Sequence, residues 1–540
     1  MTVIDHLPSD HPDFAARVAA NQAERTVNLK STYDFIVCGA GSAGSVLARR
    51  LAENPAVQVL LIEAGGGDER ASVMEPAAWP TNLGGDTDWG FVAEPDPELN
   101  GRAMPMSMGK VCGGGSSINV MVWARGHRSD WDHFAEESGD SSWGYDAVLG
   151  IYRELENWQG APDPLRRGTG GPVYVQPAPD PGPAAHAMVD AAQELGIPTY
   201  ASPNGEMMES PGGCAISDVL IRDGKRHSIF RAFTYPYLDR LNLTLLTDTL
   251  VNRVMIQGGR AIGVEAVRNG ALHRFGAAHE VILCLGAIQT PTVLMRSGVG
   301  EEAELRAHDI KVAQSLPGVG ANLQDHVSFG CIWEYKEPIA PRNSGSEATL
   351  YWKSEAVLTE PDLLFCQVEF PVPSPETAGR GVPEHGWTMF AGLAHPKSRG
   401  RVRLASADPT IAPRIELNTF SHPDDLKTAL ACVELCRDLG NTQAFAPLVT
   451  REALPGPLNK ADMEQYVRDA AVTYWHQTCS AKMGRDAMSV VDASLRVYGV
   501  EGLRVADGSI MPKVATGNTM APCVIIGEKA SRYIRADHGL

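Results

Sequence analysis

The chain has 540 residues, of which 44% are hydrophobic and 21% are charged. That composition is ordinary for a globular protein and excludes wholesale disorder, and the length predicts two joined domains rather than a single core. The formal net charge of −18 argues against nucleic acid and anionic membranes as partners, and no apolar run reaches the roughly 18 residues of a membrane-spanning helix.

The sequence predicts that residues 1–29 form an N-terminal arm. The stretch is polar, and its helical pattern over 14–25 leads us to expect packing on the protein surface or on another subunit. It lacks the basic start and apolar stretch of a secretory signal. The ten cysteines are scattered without a C-x-x-C pair, so we expect reduced thiols, no metal site and a cytoplasmic protein. The oligomeric state stays open.

The first chemical motif is a nucleotide-binding unit. A short apolar segment at 33–38 predicts a strand, and three glycines in GxGxxG spacing follow it, before a helical pattern over 45–54. A second apolar run, 57–62, ends at Glu63. This order is the dinucleotide-binding fingerprint in its expected context: a strand, a glycine turn, a helix, a second strand and an acidic residue within about thirty residues.

Each position of this unit has a physical role. Gly39 permits the tight turn, Gly41 allows the backbone to approach a pyrophosphate, and Gly44 lets the helix pack close to the strand. The helix N-terminus offers free N–H groups and a partial positive charge to the phosphates. Glu63 can accept hydrogen bonds from both ribose hydroxyls and would repel a 2′-phosphate. The unit alone does not distinguish FAD from NAD.

A second glycine-rich cluster occupies residues 109–119, with the sequence GKVCGGGSSIN. Three consecutive glycines are unsuited to the interior of a helix or strand, because glycine loses more conformational entropy than other residues and contributes no packing. The apolar residues that follow, VMVWA at 120–124, are not typical of a surface linker. The cluster therefore predicts a backbone that is pressed against a large flat ligand.

These two clusters and the segments after them resemble the glucose–methanol–choline (GMC) flavoprotein oxidoreductases. The sequence over 109–132 resembles the first signature of that family, and 286–300 resembles the second. Further matching segments follow in the family's order at 317–326, 397–406, 474–484, 503–512 and 517–530. The general pattern is that of choline dehydrogenase-like and hydroxymethylfurfural oxidase-like members of the family.

The resemblance implies an α/β fold, α+β overall, in which a Rossmann-like FAD-binding domain is interleaved with an antiparallel-sheet substrate domain. The FAD-binding domain is expected to comprise residues 30–155, 215–317 and 485–540. The substrate domain is expected to comprise residues 156–214 and 318–484. Alternating residues at 401–404 predict a strand of the substrate-domain sheet with one face in water. The apolar spacing over 424–439 predicts a packed helix that carries Cys432 and Cys436 into the core.

The resemblance also implies the cofactor, FAD held without a covalent bond. Some members attach the flavin to a histidine just before the second glycine cluster, whereas here Met106 stands near that position. The residues that the resemblance places against the pyrophosphate, ribose, adenine and ring of FAD are Gly39, Gly41, Ser42, Gly44, Glu63, Gly114, Ser117, Asn119, Val251, Trp475, Asp507, Asn518 and Thr519.

The resemblance assigns the chemistry to two residues. Oxidation of an alcohol to an aldehyde removes a hydroxyl proton, which needs a base, and a hydride, which flavin N5 takes. His476 matches the family's active-site histidine, and imidazole suits the base because its unperturbed pKa of ~6.5 is near the operating pH. Asn518 matches its partner and cannot take a proton, so its amide would donate to the alcohol oxygen. The histidines predicted to be structural are His127, His133, His326 and His395.

The sequence constrains the substrate less closely. Choline-oxidising members have a glutamate two positions after His326, where this chain has Ser328, so choline would lose its counter-charge. Tyr474 and Trp475, beside the predicted base, could stack on an aryl or furfuryl alcohol. We therefore predict a neutral primary alcohol as substrate. Further residues predicted at the pocket are Met106, Trp123, Trp352 and Phe365.

The electron acceptor stays open, and three other classes of protein are alternatives to an alcohol-oxidising flavoenzyme. The electron acceptor is O2, or else a quinone or carrier protein. A redox-neutral hydroxynitrile lyase shares the fold and the histidine base but leaves the flavin oxidised. A non-catalytic flavin protein is disfavoured by the intact pair of His476 and Asn518, and a nicotinamide dehydrogenase would carry no bound yellow chromophore.

Overall fold

Two sheets organise the chain, and a computed structural model describes residues 8–540. The first seven residues of the predicted arm 1–29 lie outside the described residues. Within the described range, no helix is long and apolar enough to cross a membrane. The longer helices of this range are Phe14–Val27, Ser42–Ala52, Arg128–Ser138, Tyr145–Leu155, Pro183–Glu194, Gly286–Arg296, Pro423–Gly440, Lys460–Ala470 and Met520–His538.

The first sheet contains the predicted nucleotide-binding unit. Its strands, in order across the sheet, are Leu243–Leu246, Val59–Ile62, Thr32–Cys38, Ala271–Leu283, Arg260–Arg268 and Thr249–Gln257, and Leu503–Val505 pairs with Ala271–Leu283. The strand Thr32–Cys38 is parallel to both neighbours. The helix Ser42–Ala52 forms the crossover from this strand to Val59–Ile62. Every residue of Val59–Ile62 is buried, as expected for a parallel strand that is covered on both faces.

The second sheet is antiparallel throughout. Its strands, in order, are Val449–Leu454, Val327–Tyr335, Gly386–Leu393, Leu363–Val368, Ala348–Trp352 and Gly213–Ile216, and Val472–Thr473 pairs with Val327–Tyr335. The helix Pro423–Gly440 packs on this sheet and buries Cys432 and Cys436, as predicted. A Rossmann-like layer beside an antiparallel sheet confirms the predicted fold class.

Two segments refine the sequence-based expectation. The predicted strand 401–404 forms as Arg401–Arg403, but it pairs with Arg414–Glu416 in a separate two-stranded sheet and does not join the substrate-domain sheet. Within this strand only Val402 is buried. The same alternation of buried and exposed residues is expected in either sheet, so the sequence pattern could not show which sheet the strand joins. The strand Gly213–Ile216 crosses the predicted boundary between residues 214 and 215, and the domain ranges remain a prediction.

The predicted arm helix forms at Phe14–Val27 and covers an edge of the first sheet. The Gln22 side chain donates a hydrogen bond to the carbonyl of Leu243 at 3.1 Å and accepts one from the N–H of Leu245 at 3.0 Å. Both leucines belong to Leu243–Leu246, the outermost parallel strand, whose free backbone groups could otherwise pair with another chain. The arm therefore protects the edge of the sheet.

Replacement of Gln22 by alanine tests this role of the arm. Loss of the Gln22 side chain leaves the N–H of Leu245 without a partner, whereas the carbonyl of Leu243 keeps its hydrogen bond from Arg25 at 2.9 Å. We expect the free energy of unfolding to fall by about 1–3 kcal/mol, measured by urea denaturation. Glu24→Ala removes an exposed side chain from the same helix and serves as the control. Equal stability of the Gln22→Ala variant and the unaltered protein would contradict the role.

Candidate active site

A deep cleft lies between elements of the two sheets and is lined by many of the residues that the sequence singled out. Its empty volume, counted up to the mouth, is about 1690 Å³. Residues from distant parts of the chain line the cleft together, so it is a candidate ligand site. Both glycine clusters, Glu63, Asp507 and the segment 474–478 line it.

Contacts that leave no room for side chains shape the first glycine turn. Gly39 has a φ of 100°, and a Cβ there would lie 2.3 Å from the carbonyl oxygen of Cys284. A Cβ on Gly44 would lie 1.9 Å from the carbonyl oxygen of Gly39, so glycine lets the helix pack against the strand as predicted. Gly41 precedes the helix Ser42–Ala52 without a side-chain cap, which leaves N–H groups of the first turn available to an anion in the cleft.

Glu63 holds the loop beside this turn. Its carboxylate accepts hydrogen bonds from the N–H groups of Ala40 and Gly65, each at 2.9 Å. Burial raises the pKa of Glu63 to about 7, against the opposing effect of these bonds. The side chain lines the cleft, where a ribose contact is predicted. Val251 is instead buried in the strand Thr249–Gln257 and does not line the cleft, so its contact with adenine remains a prediction.

The second glycine cluster packs directly on the first. A Cβ on Gly114 would come within 2.9 Å of the Cα of Gly41. Asn119 lines the cleft, and its side-chain oxygen accepts a hydrogen bond from Arg226 at 2.7 Å, a contact that the sequence did not suggest. Ser117 is buried and does not line the cleft, because its hydroxyl donates to a backbone carbonyl at 2.6 Å.

C-terminal residues complete this cofactor end of the cleft. Asp507 accepts hydrogen bonds from the N–H of Gly286 at 2.9 Å and from the hydroxyl of Thr290 at 2.6 Å. It thereby ties the C-terminal segment to the start of the helix that begins at Gly286. Asn518 and Thr519 also line the cleft. The contacts of these residues with a cofactor remain a prediction.

His476 enters the cleft from the segment that follows the strand Val472–Thr473. Its backbone N–H donates to Asp325 at 2.8 Å, and its Nε2 lies 3.2 Å from the amide nitrogen of Asn518. Although it lines the cleft, the residue is only 7% exposed. The fold therefore brings together the two residues that the resemblance pairs, across 42 positions of sequence.

Burial keeps the His476 imidazole neutral. Removal from water lowers its pKa well below 6.5, and the neighbouring His326 lowers it further. The neutral ring is the form that accepts a proton, so it can act as a base at neutral pH. An amide nitrogen can only donate, so the contact with Asn518 places the lone pair of His476 on Nε2.

His326, predicted to be structural, contacts the predicted base directly. The Nδ1 atoms of His326 and His476 lie 2.9 Å apart, and the two rings are nearly perpendicular, at 87°. The expected hydrogen bond of His326 therefore exists, but its partner is the predicted base. No sequence spacing could reveal a contact across 150 residues. The described lining of the cleft does not include His127, His133 or His395.

Aromatic side chains form the other end of the cleft. The ring of Trp475, a residue with a φ of 60°, stacks on Phe390 with centroids 6.1 Å apart. Tyr474 stacks on His476 at 4.9 Å, and its hydroxyl donates to the thiol of Cys366 at 2.9 Å. Other uncharged side chains of the described lining are those of Trp79, Leu83, Trp89, Ser107, Met108, Ser346, Val368 and Val372.

Four residues predicted at the pocket lie elsewhere. Met106 is fully buried in the core of the substrate side, and Ser107 and Met108 line the cleft in its place. The strand Pro105–Met106 ends at that point, and only the residues after it reach the cleft. The described lining also lacks Trp123, Trp352 and Phe365.

Comparisons with known proteins agree with the geometry of the cleft. The N-terminal and C-terminal profiles of the GMC oxidoreductases match residues 33–328 and 396–527. An oxygen-dependent choline dehydrogenase of Brucella anthropi is 37% identical over 531 residues, which cover 93% of this chain and 95% of that protein.

Solved structures give the same picture. Pyridoxine 4-oxidase from Mesorbium loti superposes with a TM-score of 0.89 at 31% identity, over 93% of this chain and 99% of that one. A variant formate oxidase of Aspergillus oryzae, studied for its FAD modification, superposes with a TM-score of 0.85 at 26% identity, over 94% and 99% of the two chains.

Substitution of Gly44 by alanine tests the cofactor end. The added methyl would meet the carbonyl oxygen of Gly39 at 1.9 Å, so the helix has to move away from the strand. We expect flavin affinity to fall at least about ten-fold, or about 1.4 kcal/mol, measured as flavin absorbance per protein after dialysis. Gly67→Ala, whose Cβ meets no atom within 4 Å, is the matched control. Full flavin retention in the Gly44→Ala variant would refute the packing argument.

Proposed function

This chain belongs to the GMC oxidoreductase family, whose members act on CH–OH groups with FAD, and we propose that it oxidises a neutral primary alcohol to the aldehyde with His476 as the base. One observation carries the proposal: the buried, neutral imidazole of His476 meets the amide of Asn518 at 3.2 Å on the wall of the cleft. The pair supplies a proton acceptor and a hydrogen-bond donor at one point.

The cofactor end of the cleft fits FAD. The free N–H groups of the helix Ser42–Ala52 and the side-chain-free backbones of Gly41 and Gly114 would hold the pyrophosphate, and Glu63 would hold a ribose. Asn518 would lie beside the ring. When bound, FAD accepts the hydride of the alcohol. Removal of the hydroxyl proton is left to the protein.

His476 and Asn518 act together on the hydroxyl group. Nε2 of His476 accepts the hydroxyl proton, and burial keeps the ring unprotonated beforehand. The amide of Asn518 has N–H groups to donate to the oxygen, where negative charge develops as the proton leaves. Asp325 fixes the position of the base by accepting its backbone N–H at 2.8 Å. The oxygen is thereby held between one acceptor and one donor, which orients the substrate.

The charges of the cleft favour a neutral substrate. Among the described residues that line it, the carboxylates are Glu63 and Asp507, and both accept hydrogen bonds at the cofactor end. Ser328, at the position of the choline-type glutamate, is fully buried, and its hydroxyl lies 3.4 Å from the carbonyls of Val472 and Thr473. Ser328 is not part of the described lining of the cleft, so the lining itself carries the argument. A quaternary ammonium ion at the aromatic side chains would lose its hydration without gaining a counter-charge.

The aromatic end of the cleft favours an aryl or furfuryl alcohol. Phe390 contacts the rings of both Tyr474 and Trp475, with centroids 5.0 and 6.1 Å apart. Such faces stack on a flat aromatic ring. The similar pyridoxine 4-oxidase is named for an aromatic alcohol, which supports the same class.

Oxygen is the proposed electron acceptor. The choline dehydrogenase relative is described as oxygen-dependent, and both structural relatives are oxidases. A quinone or a carrier protein is the alternative, and exposure of the alcohol-reduced enzyme to air separates the two.

Replacement of His476 by alanine tests the base. We expect the variant to retain FAD but to lose about 10²–10⁴-fold in the rate of flavin reduction by alcohol, the range for loss of a general base. The rate is measured by anaerobic stopped-flow absorbance. His133→Ala, at a half-buried histidine outside the described lining of the cleft, is the control. A nearly unchanged rate in the His476→Ala variant would rule out this base.

A comparison of neutral and charged alcohols tests the substrate class. We expect kcat/KM for benzyl or furfuryl alcohol to exceed that for choline at least ~100-fold, because an unpaired charge is costly to bury. The measurement is steady-state oxidation with matched concentrations of each alcohol. A preference for choline would overturn the argument from Ser328 and from the carboxylates of the cleft.

A further inference from the structure

His326 lies behind the proposed base and touches it through a single pair of atoms. The residue is fully buried, and its Nδ1 lies 2.9 Å from Nδ1 of His476. At this distance one nitrogen has to donate and the other has to accept, because two lone pairs or two protons would repel. Two proton arrangements are therefore possible, and the neighbours of each ring decide between them.

On the side of His476, the contact with Asn518 determines which ring nitrogen carries the proton. Its amide nitrogen lies 3.2 Å from Nε2 and can only donate. Nε2 therefore carries the lone pair, and the neutral ring of His476 carries its proton on Nδ1. That Nδ1–H is directed at His326.

On the side of His326, the ring takes the complementary form. Its Nε2 is buried without a hydrogen-bond partner, so no neighbour of His326 opposes the arrangement that Asn518 sets. Because Nδ1 of His476 donates, Nδ1 of His326 has to accept, and the proton of neutral His326 lies on Nε2. Burial lowers the pKa of His326 to about 3, so the ring stays neutral at neutral pH.

The other groups around the pair offer no competing partner for the Nδ1–H. Asp325 is engaged by the backbone N–H of His476 and by two neighbouring side chains, and burial raises its pKa to about 6. Tyr474 stacks on His476, and burial raises its pKa well above 10, so it stays neutral. Burial also lowers the pKa of His395, which neighbours His326, well below 6.5.

We propose that His326 is a positioning residue that fixes the tautomer of His476, an inference that rests on the proposed role of His476 as the base. Acceptance of the Nδ1–H by His326 keeps the lone pair on Nε2, the nitrogen at the cleft. Without that acceptor the Nδ1–H of His476 is buried unpaired, and the proton can move to Nε2 once the amide of Asn518 turns its oxygen towards the ring. A ring with N–H towards the alcohol cannot take its proton. A neutral acceptor also leaves the pKa of the base low, whereas a carboxylate would raise it.

Two substitutions separate the acceptor from the volume of the ring. His326→Asn retains an acceptor oxygen at the δ position, whereas His326→Leu fills similar space without one. We expect His326→Leu to bind FAD but to be reduced by saturating alcohol about 10²-fold more slowly with little change in KM, since a catalytic histidine in the wrong tautomer loses up to about 10⁴-fold. His326→Asn should recover most of that rate. His308→Leu, at a histidine outside the described lining of the cleft whose Nε2 lies 3.1 Å from the carbonyl of Leu404, is the control.

Nitrogen chemical shifts of isotope-labelled histidine in the holoenzyme test the tautomer without any alcohol, with the His476→Gln variant identifying the signals. We expect Nδ1 of His476 to be protonated in the unaltered enzyme and Nε2 to be protonated in the His326→Leu variant. Protonated Nε2 in the unaltered enzyme, or an unchanged reduction rate in His326→Leu, would overturn the proposal. The expected tautomer in an enzyme that no alcohol reduces would support the assignment and refute the proposed function instead.

Discussion

The proposed function requires one buried imidazole to stay neutral with its lone pair directed into the cleft, and the neighbours of His476 fit that requirement. Exclusion of water lowers the pKa of His476, so the ring is unprotonated before the alcohol arrives. Asn518 meets one nitrogen of the ring and His326 meets the other. A carboxylate in place of His326 would raise the pKa of His476 and would favour the charged ring before the alcohol arrives.

The register of the second sheet brings the two histidines together. Val327 pairs with Thr473 in antiparallel strands, and the N–H of Tyr474 donates to the carbonyl of His326 at 2.9 Å. His326 and His476 therefore extend beyond the ends of two paired strands into the same space. A shift of one residue in this pairing would turn both side chains to other positions, so the catalytic geometry depends on the sheet.

The sequence was most informative where its signals are local. The glycine turn, its helix and Glu63 lie within about thirty residues, and the roles of Gly39 and Gly44 follow from close backbone contacts that only glycine permits. The fold class, the arm helix and the buried cysteines of Pro423–Gly440 were predicted for similar reasons. His476 and Asn518 were predicted through the family resemblance rather than from spacing.

Long-range pairing accounts for what the sequence left undetermined. The contact of His326 with His476 depends on the register of two distant strands, so His326 was assigned a structural role. Met108 lines the cleft in place of Met106 because the short strand Pro105–Met106 ends before the cleft. The separate pairing of Arg401–Arg403 depends on its partner strand, Arg414–Glu416. Local periodicity is the same in each of these alternatives, which is why it could not choose between them.

The most direct measurement of the central claim is anaerobic mixing of the holoenzyme with an aryl alcohol, deuterated or not at its carbinol carbon. If His476 removes the hydroxyl proton while the hydride passes to FAD, the yellow colour bleaches in a single turnover, and the deuterated alcohol bleaches it more slowly. A flavin that stays oxidised while the alcohol is consumed, as in a redox-neutral lyase, would contradict the account.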